Sequence, residues 1–436
     1  MKTQFLIGIL SCAAAGAAEP WTLERALEFA LGGNPDARLA EQRIVAAQAG
    51  LEQANAAFWP RLQLQSSYTR TDNPMVAFGS ILNQRAFSSS MDFNNVPDVD
   101  DYNVKSLLTV PLYTGGKSMA GHRAAKATVE AARYDNEAVR NALGYEVARA
   151  FHTVLKTRRF IEAVEASVKA FEKNLAIAKR RADAGAILKT EVLDFEVRLA
   201  QAHEELVRAR NANTLSLRTL RNLLGVEGGE FSVVDRAPAG IAPNTGDFSG
   251  RAELASFRYR ERAAEEQVRA ARSGYLPRVS AFGSADYDYG WRMSHGGGSY
   301  TAGLMLQWDL WDGHLTRGKV REARSNVESA REQQRKLRFA IELEVEQAQL
   351  ALKTADERLA VTGRVVAQAA ESTSLTRSRF EQGLTLATQL IDSETALVTA
   401  RVRRAEAETD RQIAIAALRK ALGMPQLDPQ PNAQKK

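Results

Sequence analysis

The sequence has 436 residues, 44% hydrophobic and 25% charged, with a formal net charge of +6. That length allows two or three domains or one elongated duplicated body, and no apolar run reaches the ~18 residues a membrane-spanning helix needs. Lys and Arg are interleaved with Asp and Glu rather than gathered, which speaks against a nucleic-acid interface.

The N-terminus has the pattern of an export signal. Lys2 supplies the positive start, Phe5 to Leu10 the apolar segment and Ala13 to Ala18 the small-residue cleavage region, so residues 1–18 are expected to be removed. The single cysteine, Cys12, falls inside this segment. Ile9-Leu10-Ser11-Cys12 loosely resembles a lipid-attachment box, but the apolar stretch is short and Leu10 fits poorly. A mature chain free of cysteine suits an oxidising compartment without using disulfides.

Two copies of one pattern follow. In the first, 19–225, a helix over Pro35–Ala57 leads to strands at ~60–71 and ~102–113, a long helix at ~116–181 and a shorter one at ~190–224. Residues 226–249 read as a linker. In the second, 250–424, a helix over Gly250–Ser273 leads to strands at ~277–289 and ~299–311, a long helix at ~314–379 and a shorter one at ~385–422. The tail, 425–436, is rich in Pro, Gln and Asn and is expected to be disordered.

Proline draws the helical spans: none occurs between Pro111 and Pro238, nor between Pro277 and Pro425. Inside them Ile161, Val164, Val168, Phe171 and Leu175 step by threes and fours, as do Ile341, Val345, Ala348 and Leu352, which is a coiled-coil seam. The long helices measure ~65 residues, or ~100 Å, and in each half two short helices laid end to end match that length. The strand segments alternate instead: Tyr300, Ala302, Leu304 and Leu306 set against Thr301, Gly303, Met305 and Gln307. Each strand pair brackets a polar loop, Asp72–Asp101 and Gly290–Ser299.

The two halves keep one register. Val110-Pro111-Leu112-Tyr113-Thr114-Gly115 matches Trp308-Asp309-Leu310-Trp311-Asp312-Gly313; Gly185, Thr190 and Asp194 match Gly383, Thr388 and Asp392; Leu224-Gly225 matches Leu422-Gly423. A repeat of this length indicates one structural unit built twice. Trp59, Tyr113, Trp291, Trp308 and Trp311 gather at strand ends, as the interfacial girdle of an outer-membrane barrel does. Four strands do not close a barrel, since about eight make the smallest filled one, and open edges are not tolerated in lipid. A barrel made by this chain is therefore shared: two chains supply eight strands and three supply twelve.

The leader, the duplicated strand–strand–long-helix–short-helix unit, the strand starts Trp59-Pro60 and Leu276-Pro277, and the hairpins at Gly185 and Gly383 together resemble the TolC-like outer-membrane efflux proteins. The resemblance covers essentially the whole mature chain. It implies a mixed α+β membrane protein, a homotrimer whose twelve-stranded β-barrel, four strands per chain, sits in outer-membrane lipid and continues as a long α-helical periplasmic barrel. It implies an exit duct that needs no cofactor and docks to a periplasmic membrane-fusion adaptor protein, coupled in turn to an inner-membrane pump of the RND or ABC type.

The same resemblance puts adaptor docking at the hairpin tips Gly185, Ala186, Gly383 and Leu384. It puts a channel constriction at Asp392 and Asp194, with Glu191, Phe380, Leu384, Thr385 and Gln389 around it. A ring of such carboxylates favours cations; the plainer reading is that Asp near a helix start complements the helix dipole. Where some members carry a tyrosine, an arginine and an additional aspartate, this chain has Phe380, Thr385 and Gln389, so a salt-bridged lock of that type cannot form. Leu384 and Leu386 suggest an apolar plug, and Glu191 and Arg379 a pair across neighbouring helices.

Enzyme motifs fail on inspection. Leu112 to Ser118 follows a strand and opens a helix, but Pro111 stands where a phosphate loop needs glycine. His295-Gly296-Gly297-Gly298 resembles an esterase oxyanion loop, yet no G-x-S-x-G elbow exists. The five histidines lack metal-ligand spacing. The competing reading is a periplasm-spanning coiled-coil structural protein or adhesin stalk without a pore, which explains the helices but not four amphipathic strands with aromatic ends.

Overall fold

The computed structural model describes residues 20–92, 95, 97–227, 231–235 and 242–427. The expected leader, Cys12, part of the linker and most of the tail lie outside these residues. The elements run α1 Leu23–Gly33, α2 Pro35–Ala56, β1 Arg61–Thr71, α3 Pro74–Asn83, β2 Val99–Tyr113, α4 Lys117–Asp183, α5 Lys189–Leu224, α6 Ala252–Arg272, β3 Arg278–Gly290, β4 His295–Gln307, α7 Leu315–Glu381 and α8 Ala387–Ala421. The chain divides into two units. Gln42–Tyr134 with Glu253–Lys336 form one; the remaining segments form the other.

The first unit holds the sheet. Its four strands lie in the order β1-β2-β3-β4, antiparallel throughout. Strands β1 and β4 are both edges, 11 and 13 residues long. At one end α6 packs on the start of α7 through Val268, Ala323 and Val327. Arg331 on α7 reaches Glu261 at 2.7 Å, and Tyr134 stacks on Tyr259 at 5.5 Å.

The second unit is helical and carries two apolar cores. One gathers Trp21, Leu27, Phe151, Leu220 and Leu224, with α1 lying on α4 and α5. The other gathers Phe171, Phe195, Phe380, Leu390 and Ile391 from the hairpin ends of α4, α5, α7 and α8. Burying each such side chain contributes roughly 1.5–3 kcal/mol.

The repeat is carried into fine geometry. Helices α4 and α7 each have 67 residues. Both hairpins turn by the same pair of hydrogen bonds: Ala186 N to Arg181 O at 2.8 Å with Gly185 N to Ala182 O at 2.9 Å, and Leu384 N to Arg379 O at 2.9 Å with Gly383 N to Phe380 O at 3.0 Å. This is the Schellman closure, and it requires the left-handed φ of +71° and +80° that Gly185 and Gly383 supply.

Several boundaries differ from those expected. Helix α1 was not anticipated: it is a separate short helix because Asn34 breaks the run, accepting from Asp36 N at 2.7 Å and donating to Leu223 O at 2.7 Å. The first loop contains α3, capped by Asn73 with Pro74 at its first turn. Strand β2 starts at Val99 rather than near 102, and β4 runs from His295 to Gln307 rather than over ~299–311. Trp308, Leu310 and Trp311 therefore follow the strand. The ladder ends at Arg278↔Gln307 because Pro277 has no N–H with which to extend it. His295-Gly296-Gly297-Gly298 is strand, not loop, which disposes of its likeness to an oxyanion loop.

Candidate functional site

Alternation gives the sheet two unlike faces. Leu62, Leu64, Tyr68, Tyr102, Val104, Leu108, Ala281, Tyr287, Leu304 and Leu306 share one face by register. Leu62, Leu64 and Leu304 are each at least 70% exposed, an apolar surface that water does not tolerate without a use. The opposite face carries Gln63, Gln65, Ser67, Asn103, Lys105, Asp286, Asp288 and Thr301. Across it Lys105 pairs with Asp286 at 3.4 Å, and Asn103 Nδ2 donates to Asp288 Oδ1 at 2.9 Å. Phe282, one of the few apolar residues on this face with Val99, Leu107 and Met305, covers the bare backbone of Gly303 on the next strand.

The aromatic residues sit at the two ends of this sheet. Trp291 contacts Tyr68, Tyr102 and Tyr289 with ring centroids 5.6, 5.7 and 5.9 Å apart. Trp59, Tyr113, Trp308 and Trp311 lie at the other end, all exposed. Trp308 Nε1 donates to Tyr275 O at 3.1 Å, and Trp311 meets the His314 ring at 4.7 Å.

The hairpin ends form the second locus. Asp194 and Asp392 are both solvent-exposed and both the sixth residue of their helix. That is beyond the first turn, where the dipole acts, so the plainer reading suits Glu191, in the first turn of α5, better than either aspartate. Leu384 is 72% exposed, Gln389 is exposed and Thr385 is half-buried, its hydroxyl donating to Gln389 Oε1. Gly185 and Ala186 are exposed at the other tip.

Phe380 must be corrected. It is wholly buried, packed 5.7 Å from Phe195, and so does not line a lumen. Its helical phase places it on the hairpin-packing stripe with Thr373 and Arg377. No ion pair joins Glu191 to Arg379 among the described residues. Arg181, which the sequence reading passed over, also ties the two hairpins. Its guanidinium donates to Phe380 O and lies over the Phe380 ring at 4.9 Å.

Beside it, two ion pairs occupy matching places in the repeat. Lys179 meets Glu196 at 2.8 Å on the surface, whereas Arg377 meets a buried Glu394. Asn174, itself buried, donates to the same Glu394 carboxylate at 3.1 Å. The sequence signal was the repeat itself, since Lys179/Glu196 and Arg377/Glu394 stand in register.

A sheet greasy on one face and polar on the other, attached to helices of 67 residues, defines a membrane channel protein of the bacterial envelope rather than a soluble scaffold. The model of one family, outer membrane efflux protein, matches residues 26–226 and 249–424. The chain belongs to that family. It is similar to the outer membrane protein TolC of Vibrio cholerae, with 22% identity over 302 residues, covering 66% of this chain and 68% of that one. In fold it is similar to a membrane protein from Pseudomonas aeruginosa (TM-score 0.81, 22% identity, covering 92% of this chain and 90% of that one). The outer membrane protein VceC of Vibrio cholerae is also similar (TM-score 0.76, 20% identity, 92% and 96%), as is the CmeC outer membrane channel of Campylobacter jejuni (TM-score 0.78, 17% identity, 93% and 87%). The protein is an outer-membrane efflux channel with periplasmic helices, and it is not an enzyme.

Proposed function

We propose that three copies of this chain close a twelve-stranded barrel in outer-membrane lipid, the β4 edge of each pairing with the β1 edge of the next, and that their helices enclose a periplasmic tunnel. The observation that carries this is the pair of long open edges flanking an apolar face, because unpaired backbone is not sustained in hydrocarbon. The polar face then lines the bore, and Trp59, Tyr113, Trp291, Trp308 and Trp311 sit at the interfaces. Residues 19–225 and 250–424 are the two repeats and 226–249 the linker between them.

Substrates pass outward from an inner-membrane pump, of the RND or ABC type, through a periplasmic membrane-fusion adaptor that docks at the tips Gly185, Ala186, Gly383 and Leu384. Asp194 and Asp392, exposed and in register, supply carboxylate rings at the narrow end, with Leu384, Thr385, Gln389 and Glu191 around them. Native mass measurement in detergent followed by planar-bilayer recording tests the whole. A trimer that conducts ions supports it; a monomer, or an oligomer with no conductance, returns the stalk reading.

A further inference from the structure

Helix α3 lies on the polar face of the sheet, at the end where the β3–β4 hairpin turns. Its Ala77 and Ile81 are fully buried against Val99. Gln84, also fully buried, donates from Nε2 to Asp100 O at 2.8 Å and to Asp101 Oδ1 at 3.0 Å. Val99, Asp101 and Gly297 belong by register to the polar face with Lys105 and Asp286.

The seat is made to measure. A Cβ on Gly297 would stand 2.2 Å from Asn83 O, so only glycine lets the end of the helix approach the strand. Arg85 adopts a left-handed φ of +54°, which favours glycine, yet keeps its side chain and donates from Nη2 to Gly298 O at 3.2 Å. Both helix ends are thereby fixed: Asn73 caps the first turn and Arg85 pins the last.

The outer side of α3 is apolar. Met75 and Leu82 stand two turns apart and are 80% and 46% exposed, with Val76 beside them at 48%. On the polar side of a membrane sheet such a stripe faces neither lipid nor the chain's own core.

We propose that α3 is an outer constriction: three copies, one per chain, fold into the external mouth of the pore and meet through Met75, Val76 and Leu82. The proposal rests on the trimeric barrel above. Its dimensions agree. Twelve strands about 4.8 Å apart and tilted about 40° enclose a backbone ring roughly 24 Å across. Three helices about 10 Å wide laid together need a circle of about 22 Å. An apolar constriction of this kind resists water and ions by dewetting, so the duct is narrowed at the cell surface independently of its periplasmic end.

Because Cys12 in the leader is the only cysteine, an introduced thiol is a clean handle. Met75→Cys should be joined into dimers by a short bifunctional maleimide, and into trimers by a trifunctional one, in the detergent-purified full chain, while Leu304→Cys, on the apolar face, should not. Adding Gly297→Leu, which takes the space of Asn83 O, should abolish the Met75→Cys bands without changing the native mass. A native trimer lacking the Met75→Cys cross-link overturns the outer constriction alone. A native monomer overturns the trimeric barrel and the constriction with it.

Discussion

Arg377 donates to Glu394 at a place where the glutamate is only 2% exposed, and Asn174 donates to the same carboxylate oxygen. Its counterpart pair, Lys179 with Glu196, sits in water. Removing one partner of a buried pair strands the other charge and costs about 3–5 kcal/mol, whereas an exposed pair contributes about 0–1 kcal/mol. Arg377→Ala should therefore lower the unfolding midpoint strongly and Lys179→Ala barely. Equal shifts in thermal unfolding for the two variants would remove the distinction between the hairpins.

The two tip glycines separate backbone strain from a contact. Either Gly→Ala change places alanine at a left-handed φ, costing on the order of 1 kcal/mol. At Gly185 a Cβ meets nothing within 4 Å, but at Gly383 it meets Arg181 Nη2 at 3.0 Å. Gly383→Ala should thus disturb the bond from Arg181 to Phe380 O as well. Proteolytic nicking at the α7–α8 turn should rise more in Gly383→Ala than nicking at the α4–α5 turn in Gly185→Ala; the reverse order contradicts the role given to Arg181.

His152 is buried beside Phe151, and its pKa is depressed from 6.5 to about 4, chiefly by loss of solvation; Asp235 opposes the shift and Arg159 adds to it. The folded state therefore excludes the proton that the unfolded chain accepts. Stability from this source is whole above pH 6.5 and drains away as pH falls toward 4, a contribution on the order of 3 kcal/mol. His152→Gln should flatten the denaturation midpoint across that window. A mutant that keeps the wild-type pH slope assigns the dependence elsewhere.

For conduction the aspartates carry the expectation. Asp392→Ala should move the reversal potential under a salt gradient toward zero, by reducing cation preference, and Asp194→Ala should do the same. Unchanged selectivity in both variants takes the carboxylates out of the constriction.

Much of this architecture was legible because its signals are long. The seam from Ile161 to Leu175 and the proline-free spans announced the helices within two residues of where they end, at Asp183 and Glu381. Period two announced the strands. What escaped was local and tertiary. Gly296, Gly297 and Gly298 look like loop residues, yet they are strand residues, and Gly297 is left bare where the end of α3 seats against it. Phe380 was read through its neighbours in the chain, while its environment is set by Phe195 and Arg181, distant in sequence. Helix α3 was lost inside a stretch whose Asn, Asp and Pro content signals a turn, though the same Asn73-Pro74 pair starts a helix.

The contrast between the two units bears on how the molecule is made. The helical unit carries its apolar clusters within a single polypeptide, while the sheet leaves its oily side and both margins bare. On the proposed shared barrel, maturation is staged: a newly exported copy can condense its periplasmic part alone, but its hydrogen-bonding rims stay adhesive until sister copies arrive. The interval between the two events is when the chain is most prone to misassociate, and escort through the periplasm matters most then.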